Sequence, residues 1–155
     1  MSKTKKVLLC LLVVLVVIQF FRPEKNQSNA ATPGDIFAHY QAPDSLKALI
    51  KTACYDCHSN NTVYPWYSQV QPVAWWLNDH IKEGKRKFNF SEFAAYPAKR
   101  ADHKMEELIE MVKENEMPLK SYSLIHTDAR LTQEQRVAMT NWAAEIRKVI
   151  QPNIK

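Results

Sequence analysis

DSLKALIKTACYDCH, Asp44–His58, is the stretch on which the fold turns. Leu46, Leu49, Ile50, Ala53, Cys54 and Cys57 recur at the three- and four-residue steps that place side chains on one helical face. Pro43 and Asp44 suit a helix start, with the carboxylate close to backbone N–H groups that have no partner within the helix. The spacing predicts a helix over about 44–57 that runs directly into a cluster of two cysteines and a histidine.

Further on, the same period returns three times. Val73, Trp76, Leu77, His80 and Ile81 share a face in a helix expected over about 73–83, with Gly84 placed to end it. Ala101, Met105, Leu108, Ile109 and Val112 form the inward stripe of a third helix over about 98–114. Thr132 stands three residues before Gln135, the spacing of a capping box, and opens a fourth helix with the stripe Met139, Trp142, Ala143, Ile146, Val149 and Ile150. Residues 60–72 hold Tyr64, Pro65, Trp66, Tyr67 and Pro72; proline denies them a regular element, so they read as an ordered aromatic loop. No stretch alternates as a strand does, and two glycines in 155 residues are too few for a turn-rich β fold. The fold class is all-α.

Cys54-Tyr55-Asp56-Cys57-His58 is a C-x-x-C-H motif. Cysteines at i and i+3 leave the same side of a helix end, so both sulfurs can reach the two vinyl groups along one edge of a haem. The adjacent histidine can then swing beneath the ring to the iron. A disulfide, a thioredoxin-like redox pair and half of a zinc site are the competing readings. A redox pair belongs in a βαβ context, which the pattern lacks, and zinc needs two further ligands where no second cysteine pair exists. The expected cofactor is haem c on Cys54 and Cys57, with His58 on the iron.

For the sixth iron position the candidate is Met117, followed by Pro118. Its thioether comes just after a helix that the proline cannot continue, and Asn115 tolerates the left-handed conformation that ends helices. Otherwise Met117 fills a gap in the core. His80, on an apolar stripe, is the rival, as an iron ligand, a propionate partner or a core histidine; His39, His103 and His126 are read as structural or exposed. Trp66, Trp75, Trp76 and Trp142 are expected in the core or against a flat porphyrin.

The net charge of +5 arises mostly at one end, since residues 1–22 contain Lys3, Lys5, Lys6 and Arg22 and no acid. What remains has 17 basic and 16 acidic side chains, which offers nucleic acid no basic face. The lysines precede the apolar run 7–21, interrupted only by Gln19, which reads as an export signal or signal-anchor. Ser28-Asn29-Ala30 is a weak cleavage site, and an uncleaved anchor is the favoured reading. Cys10 lacks the small neighbour that a lipoprotein signal requires. Residues 26–35 are polar, with Pro33 and Gly34, and read as a linker.

Residues 54–68 (CYDCHSNNTVYPWYS), 71–93 (QPVAWWLNDHIKEGKRKFNFSEF) and 117–119 together resemble the bacterial haem-binding domain family, exported proteins with one C-x-x-C-H and a cytochrome c-like character. The resemblance runs from about Tyr40 to Ile146. It implies haem c at Cys54 and Cys57, His58 as proximal ligand and Met117 as distal ligand. Asn115 departs from the glycine that cytochromes often place two residues before that methionine. The organisation expected is a signal-anchor at 1–22, a linker at 23–38 and a haem-binding, cytochrome c-like domain at 39–155. The expected role is that of a one-electron carrier, not an enzyme, on the periplasmic side of the cytoplasmic membrane. It would be held by the N-terminal anchor and serve redox partner proteins at the membrane surface. The alternatives are a small-ligand sensor with an open distal site shaped by His80, Trp75 and Trp76, and a peroxidase-like enzyme drawing on Asp79, Glu83 and His80.

Overall fold

In the computed structural model, which describes residues 1–28 and 30–154, each periodic stripe is a helix. The helices are α1 (Lys3–Ile18), α2 (Ile36–His39), α3 (Asp44–His58), α4 (Val73–Lys87), α5 (Ala98–Lys113), α6 (Lys120–Ile125) and α7 (Gln133–Ile150). Short 3-10 turns lie at Trp66–Gln69, Phe90–Ala95, Thr127–Ala129 and Gln151–Asn153. Among the described residues the β pairing is one isolated antiparallel bridge, Gln27 to Asn61, so the chain is all-α.

The apolar stripes meet where the period says they should. Met105 and Val112 of α5 and Met139, Ala143 and Ile146 of α7 are buried in one cluster with Ile50 of α3. Ile50, Met105 and Met139 have no exposed surface, and each such side chain contributes roughly 1.5–3 kcal/mol of burial. The predicted capping box is present: Thr132 Oγ1 accepts from the Gln135 N–H and Gln135 Oε1 from the Thr132 N–H. Arg147 of α7 forks onto Asp102 of α5 at 2.8 and 3.1 Å, tying the two helices at their outer end.

Four expectations change. Gly84 does not end α4, which continues to Lys87. A Cβ there would stand 2.6 Å from the Cys57 carbonyl oxygen, so the glycine serves the crossing of α3 and α4. The polar stretch expected as a linker is strapped to the domain. The Asn26 N–H donates to the Tyr64 hydroxyl at 2.7 Å, its side chain reaches the Ser59 carbonyl at 2.9 Å, and Ile36 is fully buried. The tryptophans divide, with Trp142 buried but Trp66 81% and Trp76 48% exposed.

The expected anchor is the fourth. α1 has 16 residues, about 24 Å of helix against a hydrocarbon core of about 30 Å. No helix among the described residues is long and apolar enough to cross a membrane. The spanning anchor is therefore not supported. The cleavage motif around Asn29 includes a position outside the described residues.

Candidate functional site

α3 ends where its last residue meets the chain leaving α4. His58 Nδ1 lies 3.0 Å from the Phe88 carbonyl oxygen. A carbonyl only accepts, so Nδ1 carries the proton and Nε2 keeps its lone pair. Burial lowers the His58 pKa, against the carbonyls of Phe88 and Gly84, which raise it, while the charge on Lys87 lowers it further. The result is a neutral, oriented imidazole, the form that binds a metal, with a backbone partner fixing its ring.

Beside it is a cavity of about 710 Å³, within the range of cofactor sites. α3 contributes Cys54 and His58, the turn after α4 contributes Phe88 and Phe90, α5 contributes Leu108 and Met111, and α7 contributes Met139. Met117 and Pro118 form another wall. Four cations, Arg86, Lys87, Arg100 and Lys104, also border it. Arg86 pairs with Glu83 and Lys104 with Glu107, both at 2.6 Å. Arg100 lies over the Tyr96 ring at 4.3 Å.

Thus three of the four predicted site residues, Cys54, His58 and Met117, line one cavity. Cys57 does not line it; it is half-buried at the α3–α4 crossing, with its Cβ 3.2 Å from the place a Gly84 Cβ would occupy. Burial, and then the charge on Cys57, push the Cys54 thiol up to about 12; burial and Asp56 push Cys57 up to about 11. Both are thiols at neutral pH, unlike the low-pKa thiolates of redox-active pairs. Among the described residues no group of three or more His, Cys, Asp or Glu could hold a metal ion, which leaves the zinc reading without ligands.

The loop carrying Met117 is built with care at the backbone. Asn115 takes the left-handed conformation, φ 61°, as expected for an asparagine ending α5. The Met111 carbonyl accepts from the N–H groups of Glu116 and Met117 at 2.9 and 3.1 Å. From α7, Arg136 donates to the carbonyls of Val112 at 2.9 Å and Met117 at 3.1 Å and to the Asn115 side-chain oxygen at 2.5 Å.

His39 and His103 are exposed and His126 is held by neighbouring tyrosines, as expected, whereas His80 is not where its stripe suggested. His80 points away, its Nδ1–H donating to the Trp76 carbonyl at 2.8 Å with its ring 4.2 Å from that indole. His103, exposed as expected, also borders the cavity and pairs with Glu107 at 3.2 Å. His126 meets the Tyr67 hydroxyl at 2.5 Å and stacks on Tyr122 at 4.2 Å. Tyr122 in turn donates to Asp56 inside the C-x-x-C-H at 2.8 Å, linking the segment after Met117 to the motif. No tryptophan lines the cavity; Phe88 and Phe90 supply the flat walls. Sequence reasoning missed Met111, Arg136 and the cations at the cavity, because each is brought in by another element rather than by local spacing.

A lone pair on a neutral imidazole, a neighbouring thiol, a thioether on another wall, an apolar interior and cations at the border are groups that fit a haem. The family model for the haem-binding domain matches residues 13–145. No curated protein and no solved structure matches the chain.

Proposed function

This chain belongs to the haem-binding domain family, and from that premise we propose that it is a c-type cytochrome-like one-electron carrier. Cys54 and Cys57 would hold the haem covalently, and His58 and Met117 would supply the ligands to its iron. The observation that carries the reading is the His58 imidazole, held by the Phe88 carbonyl in a cavity that also receives Cys54 and Met117. A haem bound there would supply one-electron exchange, and His58 and Met117 would both stay bound through it, the Met117 thioether favouring the reduced state. The protein's part is to hold both ligands still, exclude water with Phe88, Phe90 and Met139, and border the cavity with cations that could pair with propionates.

The N-terminal lysines and the apolar run after them support export, so we place the domain on the outer side of the cytoplasmic membrane, where redox partner proteins meet it.

The visible spectrum of the reduced, haem-loaded protein before and after carbon monoxide tests the reading. A haem c spectrum indifferent to the gas is the expected result. A shifted spectrum would mean an accessible iron and favour the sensor alternative. The sensor pocket first suggested for His80, Trp75 and Trp76 has no support, since none of them lines the cavity. Mass spectrometry completes the test: the haem mass must remain after denaturation and disappear when Cys54 and Cys57 are both replaced by alanine.

A further inference from the structure

We infer that Arg136 is the positioning residue for the sixth iron ligand. The inference rests on the reading of Met117 as that ligand.

Three acceptors around the Met117 loop converge on one guanidinium. They are the carbonyl of Val112 in the last turn of α5, the side-chain oxygen of Asn115 at the left-handed position, and the carbonyl of Met117 itself. The Met117 N–H is also held, by the Met111 carbonyl at 3.1 Å. Both backbone polar groups of the ligand residue are therefore fixed, and its side chain lines the cavity. Guanidinium suits this task because it is planar, permanently charged and offers several donors in a rigid fork.

The clamp is anchored to the cavity wall. Arg136 lies one turn before Met139, which is fully buried and lines the same cavity. α7 thus sets the loop and the wall with one rigid element. Without the clamp, only the Met111 carbonyl and the Asn115 turn hold the loop, and Met117 can swing away while the helices stay packed. An external ligand binds in proportion to the fraction of molecules whose sixth position is open. Arg136 keeps that fraction small.

The experiment compares haem-loaded, full-length wild type with Arg136→Gln, Arg136→Lys and Met117→Ala. Three quantities are read: carbon monoxide affinity of the ferrous form, the ferric thioether charge-transfer band, and the thermal midpoint. Arg136→Gln is expected to raise carbon monoxide affinity by about tenfold or more and weaken the band. Arg136→Lys, which can satisfy one acceptor, falls between. It also keeps the inference testable should Arg136→Gln fold poorly. A lower thermal midpoint with affinity and band at wild-type values in both variants would overturn the inference, since a structural role alone gives that pattern. If Met117→Ala opens the iron and the Arg136 variants do not, only the positioning role fails. If Met117→Ala changes neither affinity nor band, the ligand assignment itself fails, and the inference with it.

Discussion

A methyl group added at position 84 would gain up to about 1 kcal/mol in an unencumbered helix, since glycine is that much poorer than alanine in a helix interior. Here it would stand 2.6 Å from the Cys57 carbonyl oxygen and 3.2 Å from the Cys57 Cβ. A backbone carbonyl cannot rotate aside as a side chain does, so α3 and α4 must part, and overpacking of this kind costs about 1–3 kcal/mol. The clash outweighs the propensity. Gly84→Ala is expected to destabilise the protein by about 1–2 kcal/mol and to disturb the end of α3 that carries His58. Urea unfolding of the two proteins measures this; an alanine variant as stable as wild type would show that the helices have room. The sequence pattern placed Gly84 at a helix end because a local reading has only local reasons for a glycine. The same limit explains His103, brought to the cavity by the packing of α5, and the exposed Trp66, whose size alone suggested burial. Cys54 and His58 were legible because one short motif sets them four residues apart, and Met117 because Pro118 follows it just after a helix.

Between elements, the α5–α7 pair carries a charge-assisted lock. Arg147 donates to both oxygens of Asp102 at 2.8 and 3.1 Å and also meets Glu106 at 2.9 Å. Arg147, with help from Gln151, holds the Asp102 carboxyl below its usual range, more than burial raises it. A carboxylate whose pKa is lower folded than unfolded adds stability above its unfolded value, near 3.9, and loses it as pH falls through the folded value. Asp102→Asn is therefore expected to cost about 1 kcal/mol at neutral pH, a modest figure because the pair lies near solvent. The stability curves of variant and wild type should converge as pH falls below about 4. Thermal melts across that range check it, and parallel curves would remove Asp102 as the cause. α5 and α7 were readable from periodicity because each carries a full stripe over four or more turns. α2 and α6, with four and six residues, were not, since helices so short depend on tertiary packing rather than on their own pattern.

For the whole molecule, residues 1–28 divide into a part that leans on the domain and a part that belongs to it. α1 buries no residue. It is tied through Gln19, which exchanges bonds with the Gln71 backbone at 2.9 and 3.2 Å, and through the Phe21 carbonyl, which accepts from Trp75 Nε1 at 2.7 Å. Buried Gln71 would lose the Gln19 acceptor for its N–H and the Phe21 carbonyl for its side chain, but removing residues 1–22 also opens these groups to water, so the cost is expected to be about 1–2 kcal/mol. Residues 23–28 are different. Asn26 bonds Tyr64, Ser59 and Thr62, accepts from Lys85 Nζ at 2.6 Å, and takes the Thr62 N–H on its carbonyl at 2.9 Å. Losing this strap as well would leave Thr62, which is buried, without its backbone acceptor, at a further cost on the order of 2–4 kcal/mol. Chains 23–155 and 31–155, each loaded with haem, should therefore separate clearly in thermal midpoint, the first lying close to the full chain. Equal midpoints for the two would make the strap incidental. The same difference bears on processing: cleavage after Ala30 would discard a structural part of the domain, whereas a mature protein that begins at or before Pro23 keeps it. The intact mass of the protein purified from cells reads which of these the cell produces.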